Sequence, residues 1–326
     1  MTCVRWGILG TARINRRLIP AMRAAARSEL VAIASRDQAR ANAHARDWAI
    51  PKALASYHAL VEDDDVEAVY IPLPNSEHVR WTLAAVAAGK HVLCEKPLAL
   101  DPADVDRIAD AATAQGVVVE EGFMYAHEPL TERVQSLVAN GAVGAVRAVV
   151  SGFTFVLDRE GDVRLDPTLG GGSLWDVGGY PLTYAQRVIA RPPVKAVARA
   201  QWAPAGVDEE FAGIIEFSGG ATANIYSGFR APYRTWLEIV GTEGALRVPN
   251  PFKPALIETL ELERTSGIQQ IDVAGSPLLF QREIEDFIAS VLDHAPQVVS
   301  LAESRTTAAT LAALYSSARH GRAVAV

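Results

Sequence analysis

At 326 residues, 49% of them apolar, and with a formal charge of −7, the chain is long enough for two domains that each bury a core, and its acidic balance argues against a nucleic-acid or anionic-membrane surface, which needs a basic face to release counterions. The two cysteines, Cys3 and Cys94, form no C-x-x-C pair and read as small buried hydrophobes rather than as a disulfide framework. No run approaches the roughly 18 apolar residues of a membrane span, and the immediate entry into "VRWGILG" leaves no room for a leader, so the expectation is a cytoplasmic protein.

The first third alternates strand and helix periodicities. Strand-like runs at Val4–Leu9, Leu30–Ala34, Val66–Ile71, Val92–Cys94 and Val117–Glu120 are separated by helical stretches, the pattern of a parallel sheet covered on both faces. The first connection is "GILGTARIN", where a dinucleotide-binding turn would read G-x-G-x-x-G. Gly10 keeps its glycine, while Ala12 and Asn15 stand in the second and third places. Ala12 adds one methyl at the point of closest approach and leaves the helix-start N–H groups aimed at a phosphate. Taken alone, the turn reads equally as a nucleotide site or as an ordinary strand-to-helix connection. In the helix that follows, Ile14, Leu18 and Met22 form one apolar stripe, which Pro20 is expected to interrupt, starting a second segment. At the end of the second strand, where an NAD-selective protein would carry Asp or Glu, stand Ser35 and Arg36, with Arg40 one helical turn on. Asp37 is the one residue there that could reverse a choice of NADP.

The later strand ends carry more. In "VYIPLPNSEH", Pro72, Leu73 and Pro74 end a strand, Asn75 or Ser76 caps a helix stopped by Gly89, and His78 lies in its first turn. "HVLCEKPLAL" puts Glu95, Lys96 and Pro97 just past the next strand, at the carboxyl edge where open α/β sheets hold ligands. Lys96 is either a solvated lysine or a functional one. The other lysines stand only at positions 52, 90, 195 and 253, arginine carrying most of the positive charge, so a group with a tunable pKa is kept where it can work. "DPADVDRIADAATAQG" then offers Asp101 as N-cap, Pro102 at the first helical position and Gly116 as the stop.

Past Gly122 the pattern changes. "VRAVVSGFTFVL", "VKAVARAQWA", "FAGIIEFSG", "ATANIYSGF" and "WLEIVGTEGALRV" are strand-like and joined partly by short glycine turns, which favours antiparallel pairing. The fold class is therefore α/β: a doubly wound N-terminal domain over 1–122, then an α+β domain over 123–326 with an open, mostly antiparallel sheet. Alternation in "ATANIYSGF" puts Ile225 opposite Asn224 and Tyr226, so both faces carry groups worth burying. In "GGGSLWDVGGYPLTY", Asp176 and Tyr180 lie four apart and share a face if helical. Gly178, Gly179 and Pro181 are costly in a purely structural helix and point to close approach of a ligand or of the other domain. Arg164 and Asp166 are either substrate groups or a surface pair. The histidines lack metal-ligand spacing, no metal is expected, and His44, His58 and His294 are expected to face solvent.

Together "GILGTARIN", "IPLPNSEH", "AGKHVLCEKPL", "EGFMY" and "GGGSLWDVGGYPLTY" resemble the glucose–fructose oxidoreductase / inositol dehydrogenase (Gfo/Idh/MocA) family, and they run through much of the chain in that family's order. Related members tolerate non-glycine residues in the first turn. The resemblance implies a Rossmann domain binding NADP, or alternatively NAD, through Gly10, Thr11, Ala12, Arg13, Ile14, Ser35, Arg36, Arg40, Pro72, Leu73, Asn75, His78, Glu95 and Lys96. It implies Lys96, Tyr180 and Asp176 as catalytic residues, the Lys96–Pro97 bond being cis, and Tyr125 and Arg164 as further substrate contacts. Many members place His where Tyr180 stands; the Tyr form resembles the sugar and dihydrodiol dehydrogenase branches. "EGFMYAHEP" departs from the common Y-R-x-H-P pattern at Ala126 and Glu128, so the contacts of that Arg and His have no counterpart at these positions. The implied activity is hydride transfer between the nicotinamide and a carbinol or carbonyl carbon of a sugar, polyol or cyclic diol. Tyr180 would exchange the proton and Lys96 would assist it, or the reverse. The alternatives are an NAD-dependent glycosidase with transient redox and a non-catalytic NADP(H) sensor. A homodimer or homotetramer through the second sheet is implied, with no nucleic-acid or membrane partner.

Overall fold

Apolar runs short enough for strands and interrupted by capped helices build the first sheet in the computed structural model, which describes residues 2–159 and 161–326. Among the described residues its strands are β1 (Val4–Leu9), β2 (Ser28–Ala34), β3 (Lys52–Leu54), β4 (Ala68–Ile71), β5 (His91–Glu95) and β6 (Val119–Gly122). All neighbours pair in parallel, in the order β3-β2-β1-β4-β5-β6. The connecting helices are α1 (Asn15–Ala24), α2 (Gln38–Asp47), α3 (Tyr57–Val61), α4 (Asn75–Ala87) and α5 (Pro102–Gln115). The order reverses between β1 and β4, so a crevice opens at the carboxyl ends of these strands. Helix α5 has its foreseen ends: the Asp101 carboxylate accepts the Ala103 N–H at 2.9 Å, and Gly116 takes φ +66°.

Two local expectations are corrected. Pro20 lies inside one continuous α1, because burying Leu18, Ile19, Ala21 and Met22 outweighs the single helical hydrogen bond that proline cannot make. Helix α4 begins at Asn75 itself, after Pro74 in extended conformation, with no side-chain cap.

The second sheet holds β7 (Val146–Thr154), β8 (Pro193–Trp202), β9 (Asp208–Phe217), β10 (Thr222–Gly228), β11 (Arg234–Gly241), β12 (Gly244–Val248), β13 (Ile257–Arg264), β14 (Gly267–Ala274) and β15 (Val324–Ala325). Their order is β14-β13-β12-β11-β7-β10-β9-β8-β15, antiparallel except between β7 and β10. Register separates the faces. Ala196, Ile215, Ala223, Val149, Ile239, Leu246 and Leu262 align across seven strands and are all buried, on the side covered by α6 (Pro129–Ala139), α7 (Gly179–Ile189) and the later part of α9 (Leu301–His320). One residue along, Val197, Ile214, Asn224, Val150, Glu238, Arg247 and Glu261 form the opposite row.

The chain divides into one unit of Met1–His127 with Leu278–Arg305 and a second of Glu128–Pro277 with Thr306–Val326. The expected break at 122 therefore falls at 127, and residues 278–305 group with the first unit rather than the second. The cause is α8 (Gln281–Leu292), whose buried Ile284, Phe287 and Ile288 pack on α1 and β1, Phe287 lying 5.1 Å from the Trp6 ring. Among the described residues no helix is long and apolar enough to cross a membrane.

Candidate active site

The residues singled out from sequence fall into two groups, one in each unit. In the first unit the turn after β1 is closed by the residues that break the glycine pattern. Gly10 takes φ +104°, and a Cβ there would stand 3.0 Å from Leu73 and 3.6 Å from the Tyr57 hydroxyl. Asn15, fully buried in the third glycine's place, donates its side-chain amide to the Gly10 carbonyl at 3.0 Å. The loop is thus cross-braced where a glycine would only have permitted close packing, and α1 still points its positive dipole end at the crevice.

At the end of β2, Ser35 is buried, whereas Arg36 and Arg40 are exposed. Arg40 Nη2 donates to Thr11 Oγ1 at 3.0 Å, tying α2 to the first turn. Tyr57 stands beside both arginines: burial raises its phenol, and Arg36 and Arg40 oppose the rise. The Asp37 carboxylate caps α2, accepting N–H groups of Ala39 at 2.8 Å and Arg40 at 3.2 Å. That acid is engaged in the helix and not turned inward. His44 is half-buried, its Nε2 3.3 Å from the Asn15 amide, rather than out in solvent, whereas His58 and His294 are exposed.

Past β4 and β5 lie the proline turn, with Pro72, Leu73 and Asn75, and the Glu95-Lys96-Pro97 turn, whose Lys96–Pro97 bond is cis. Tyr70, buried in β4, donates its hydroxyl to Glu95 Oε1 at 2.6 Å. His78 is wholly buried, its ring nitrogens 2.7 Å from the Pro97 carbonyl and 2.8 Å from the Leu73 carbonyl, so its side chain faces backbone. Tyr125 is also buried, its ring edge-on to Phe123. Cys94 is buried and Cys3 partly exposed, and neither is in a disulfide.

In the second unit Asp176 does not sit on an α-helix with Tyr180. Leu174–Gly178 form a π-helical turn leading into α7, the kind of irregularity that concentrates at functional sites. Glycine makes room for it: a Cβ on Gly178 would stand 2.7 Å from Leu174 Cδ1. Asp208, at the head of β9, anchors the turn by accepting from Ser173 Oγ at 2.7 Å, from the Leu174 N–H at 2.8 Å and from the Tyr315 hydroxyl. Asp176 faces Arg164, whose Nε donates to its Oδ2 at 2.6 Å, while Arg164 Nη1 reaches Asp162 at 3.2 Å. Asp176 and then Asp162 hold the guanidinium's pKa well above its ordinary value. Arg164 and Asp166 therefore do not form a pair; Asp166 caps the turn at Pro167–Leu169. The Tyr180 ring is 6% exposed, 5.5 Å from Phe153 and 5.4 Å from Phe252, with Lys253 Nζ over the Phe153 ring. Glu128, where the "EGFMYAHEP" stretch departs from the family pattern, accepts the Ser276 N–H at 3.1 Å.

Sequence reasoning missed Tyr57, Glu121, Asp162 and Asp208. Only Glu121 had a visible signal, two adjacent acids closing the apolar run "VVVEEGF". Among the described residues no cluster of His, Cys, Asp and Glu could hold a metal ion.

Residues 4–123 match the model of an oxidoreductase family with an NAD-binding Rossmann fold, and residues 131–247 match the GFO/IDH/MocA C-terminal domain. The chain is 39% identical to a D-xylose 1-dehydrogenase (NADP(+)) of Haloferax volcanii over 322 residues, 98% of each chain. It is 32% identical to a trans-1,2-dihydrobenzene-1,2-diol dehydrogenase of Xenopus laevis over 252 residues, 76% of this chain and 75% of that one. Among solved structures, a 3-ketoreductase from Actinomadura kijaniata in complex with NADP and TDP-benzene superposes with a TM-score of 0.90 at 30% identity, covering 97% of this chain and 98% of that one.

Proposed function

The chain belongs to the GFO/IDH/MocA family of oxidoreductases with an NAD-binding Rossmann fold, and from that premise we propose that it transfers hydride between NADP and a carbinol or carbonyl carbon of a sugar, polyol or cyclic diol. The observation that carries this reading is Lys96, set just past β5 at the same carboxyl edge as the braced turn after β1. The first unit fits the dinucleotide: Gly10 leaves a cradle that a Cβ would close, and Arg36, Arg40 and Thr11 gather donors where Asp37 is engaged elsewhere. A panel of aldoses, polyols and cyclic diols, read at the nicotinamide absorbance with both cofactors, tests the proposal. Net turnover with NADP is the expected result; sugar release without net change in NADPH, or tight NADPH binding with no turnover on any of them, overturns it.

When bound, the nicotinamide supplies the redox chemistry. The protein's part is to orient the substrate and exchange one proton. Tyr180 is the proton carrier, accepting in oxidation and donating in reduction, and Lys96 binds the reacting hydroxyl. Asp176 works through Arg164: the carboxylate fixes the guanidinium, whose remaining donors hold substrate hydroxyls. Arg36 selects the cofactor. A charge-assisted hydrogen bond to the 2′-phosphate contributes about 1.5–3 kcal/mol, so Arg36→Ala is expected to raise the KM for NADP by roughly 10-fold or more and leave that for NAD within about twofold. Equal losses with both cofactors would show that Arg36 is not the selector.

The second sheet assembles copies of the chain into a dimer or tetramer. In its outward row Val197 and Ile214 pair across β8 and β9 and are 41% and 44% exposed, which is wasteful for a monomer. Ile214→Glu would place a carboxylate in that contact and is expected to give monomers by sedimentation, whereas the unaltered chain remains associated at micromolar concentration. A monomeric unaltered chain would sink the idea.

A further inference from the structure

Two buried polar side chains grip the turn that carries Lys96. Glu121, in β6 and 2% exposed, accepts the Leu98 N–H through Oε1 at 2.9 Å. His78, in the first turn of α4, holds the same Pro97–Leu98 peptide by its carbonyl side, with Nδ1 2.7 Å from the Pro97 oxygen, and its Nε2 stands 2.8 Å from the carbonyl of Leu73. Consecutive backbone groups after Lys96 are therefore held from two sides, by the neighbouring strand and by the helix that follows β4. A buried carboxyl and a buried imidazole each carry a desolvation cost, which their bonds to this peptide offset. What the polar pair adds is a fixed position for one turn.

We propose that Glu121 and His78 form a clamp on the Lys96–Pro97–Leu98 turn and are positioning residues that set where the Lys96 ammonium stands. The inference rests on reading Lys96 as part of the catalytic machinery. The clamp also joins that turn to Leu73, so the lysine and the proline loop move as one body.

A proton tunes it. Lys96 and Cys94 face Glu121 from β5 and its turn, and Glu303 and Ser304 face it from the start of α9. Burial dominates and lifts the carboxyl to about 7. Above that pH the carboxylate makes a charge-assisted bond to the Leu98 N–H and attracts Lys96; below it, the neutral acid does both more weakly. His78, facing Lys96, is lowered chiefly by burial, and the carbonyls of Pro97 and Leu73 oppose the fall.

Steady-state kinetics of the intact protein from about pH 5.5 to about 9 test the clamp. Glu121→Ala is expected to lower kcat roughly 10- to 100-fold, the scale of a small misplacement of a reacting group, with the KM for NADP within about twofold. Glu121→Gln keeps an acceptor for Leu98 and is expected to restore kcat to within about threefold, while the limb of the profile near pH 7 disappears. The Glu121→Ala and His78→Ala losses should overlap in the double variant, since both act through one turn. The clamp is overturned by a normal kcat in folded Glu121→Ala, by a loss confined to the KM for NADP, by full additivity, or by persistence of the limb in Glu121→Gln, which also decides the matter if the alanine variant does not fold. Lys96→Met run alongside separates the two readings: its inactivity beside a normal Glu121→Ala overturns the clamp alone, and its near-normal turnover overturns both.

Discussion

Tyr180→Phe is expected to cut turnover by about 100-fold or more while NADPH binding survives, the usual loss when a general acid–base group is removed. Oxidising a secondary alcohol requires its hydroxyl proton to leave, and reducing the ketone requires one to arrive. A phenol held beside the reacting oxygen can do both. Phenylalanine is the informative substitution here because the ring is already held by aromatic packing, 5.5 Å from Phe153 and 5.4 Å from Phe252 in a site that leaves it 6% exposed. The ring stays and only the hydroxyl goes, so a fall in turnover reports proton chemistry rather than a collapsed core. Isothermal titration with NADPH and a thermal melt, run beside the kinetics, keep those effects apart. If Tyr180→Phe retains near-normal turnover while Lys96→Met abolishes it, the proton belongs to Lys96 and Tyr180 only orients.

Glu121→Gln is expected to stabilise the protein above neutrality. The folded carboxyl titrates at about 7 instead of 4.5, chiefly because burial disfavours its charge. A raised pKa means that the native state favours the protonated acid. Its stabilising contribution is complete below about pH 4.5 and is lost as the pH climbs through about 7. At about 1.4 kcal/mol for each tenfold change in ionisation, the cost of holding the carboxylate at pH 8 is roughly 3 kcal/mol. Glutamine never ionises and still offers an oxygen to Leu98. Denaturant unfolding should therefore show the variant ahead by up to about that amount at pH 8 and by no more than about 1 kcal/mol at pH 5. An advantage equal at both pH values would mean that the gain comes from packing and not from the charge. A stability penalty accepted for function is common where a site must be held in one geometry.

How far the sequence reached depends on how far apart the interacting residues lie. The run Val4–Leu9 became β1 with the same ends, and Asp101, Pro102 and Gly116 bounded α5 as read, because capping and periodicity act over a few neighbouring residues. The short β3 and the outermost β14 gave weaker patterns: β3 has three residues, and most of β14 is exposed, so neither carries a strong alternation of buried positions. The apolar face of α8 is plain once seen, yet nothing local says that it covers Trp6 more than 270 positions earlier in the chain.

The chain by itself determined the two architectures, the place of the nucleotide turn and the position of Lys96 at a strand end, since each follows from local periodicity and from the rule that parallel strands expose ligands at their carboxyl edge. Tertiary structure alone decided what the polar groups do. Asn15 braces the turn that lost its glycine, Asp37 is engaged by α2, Arg164 joins Asp176 and Asp162, Asp208 anchors a π-helical turn, and Glu121 with His78 grips the Pro97–Leu98 peptide after Lys96. A buried donor or acceptor must find a partner wherever packing brings one, and that choice depends on distances between side chains that spacing along the chain does not encode.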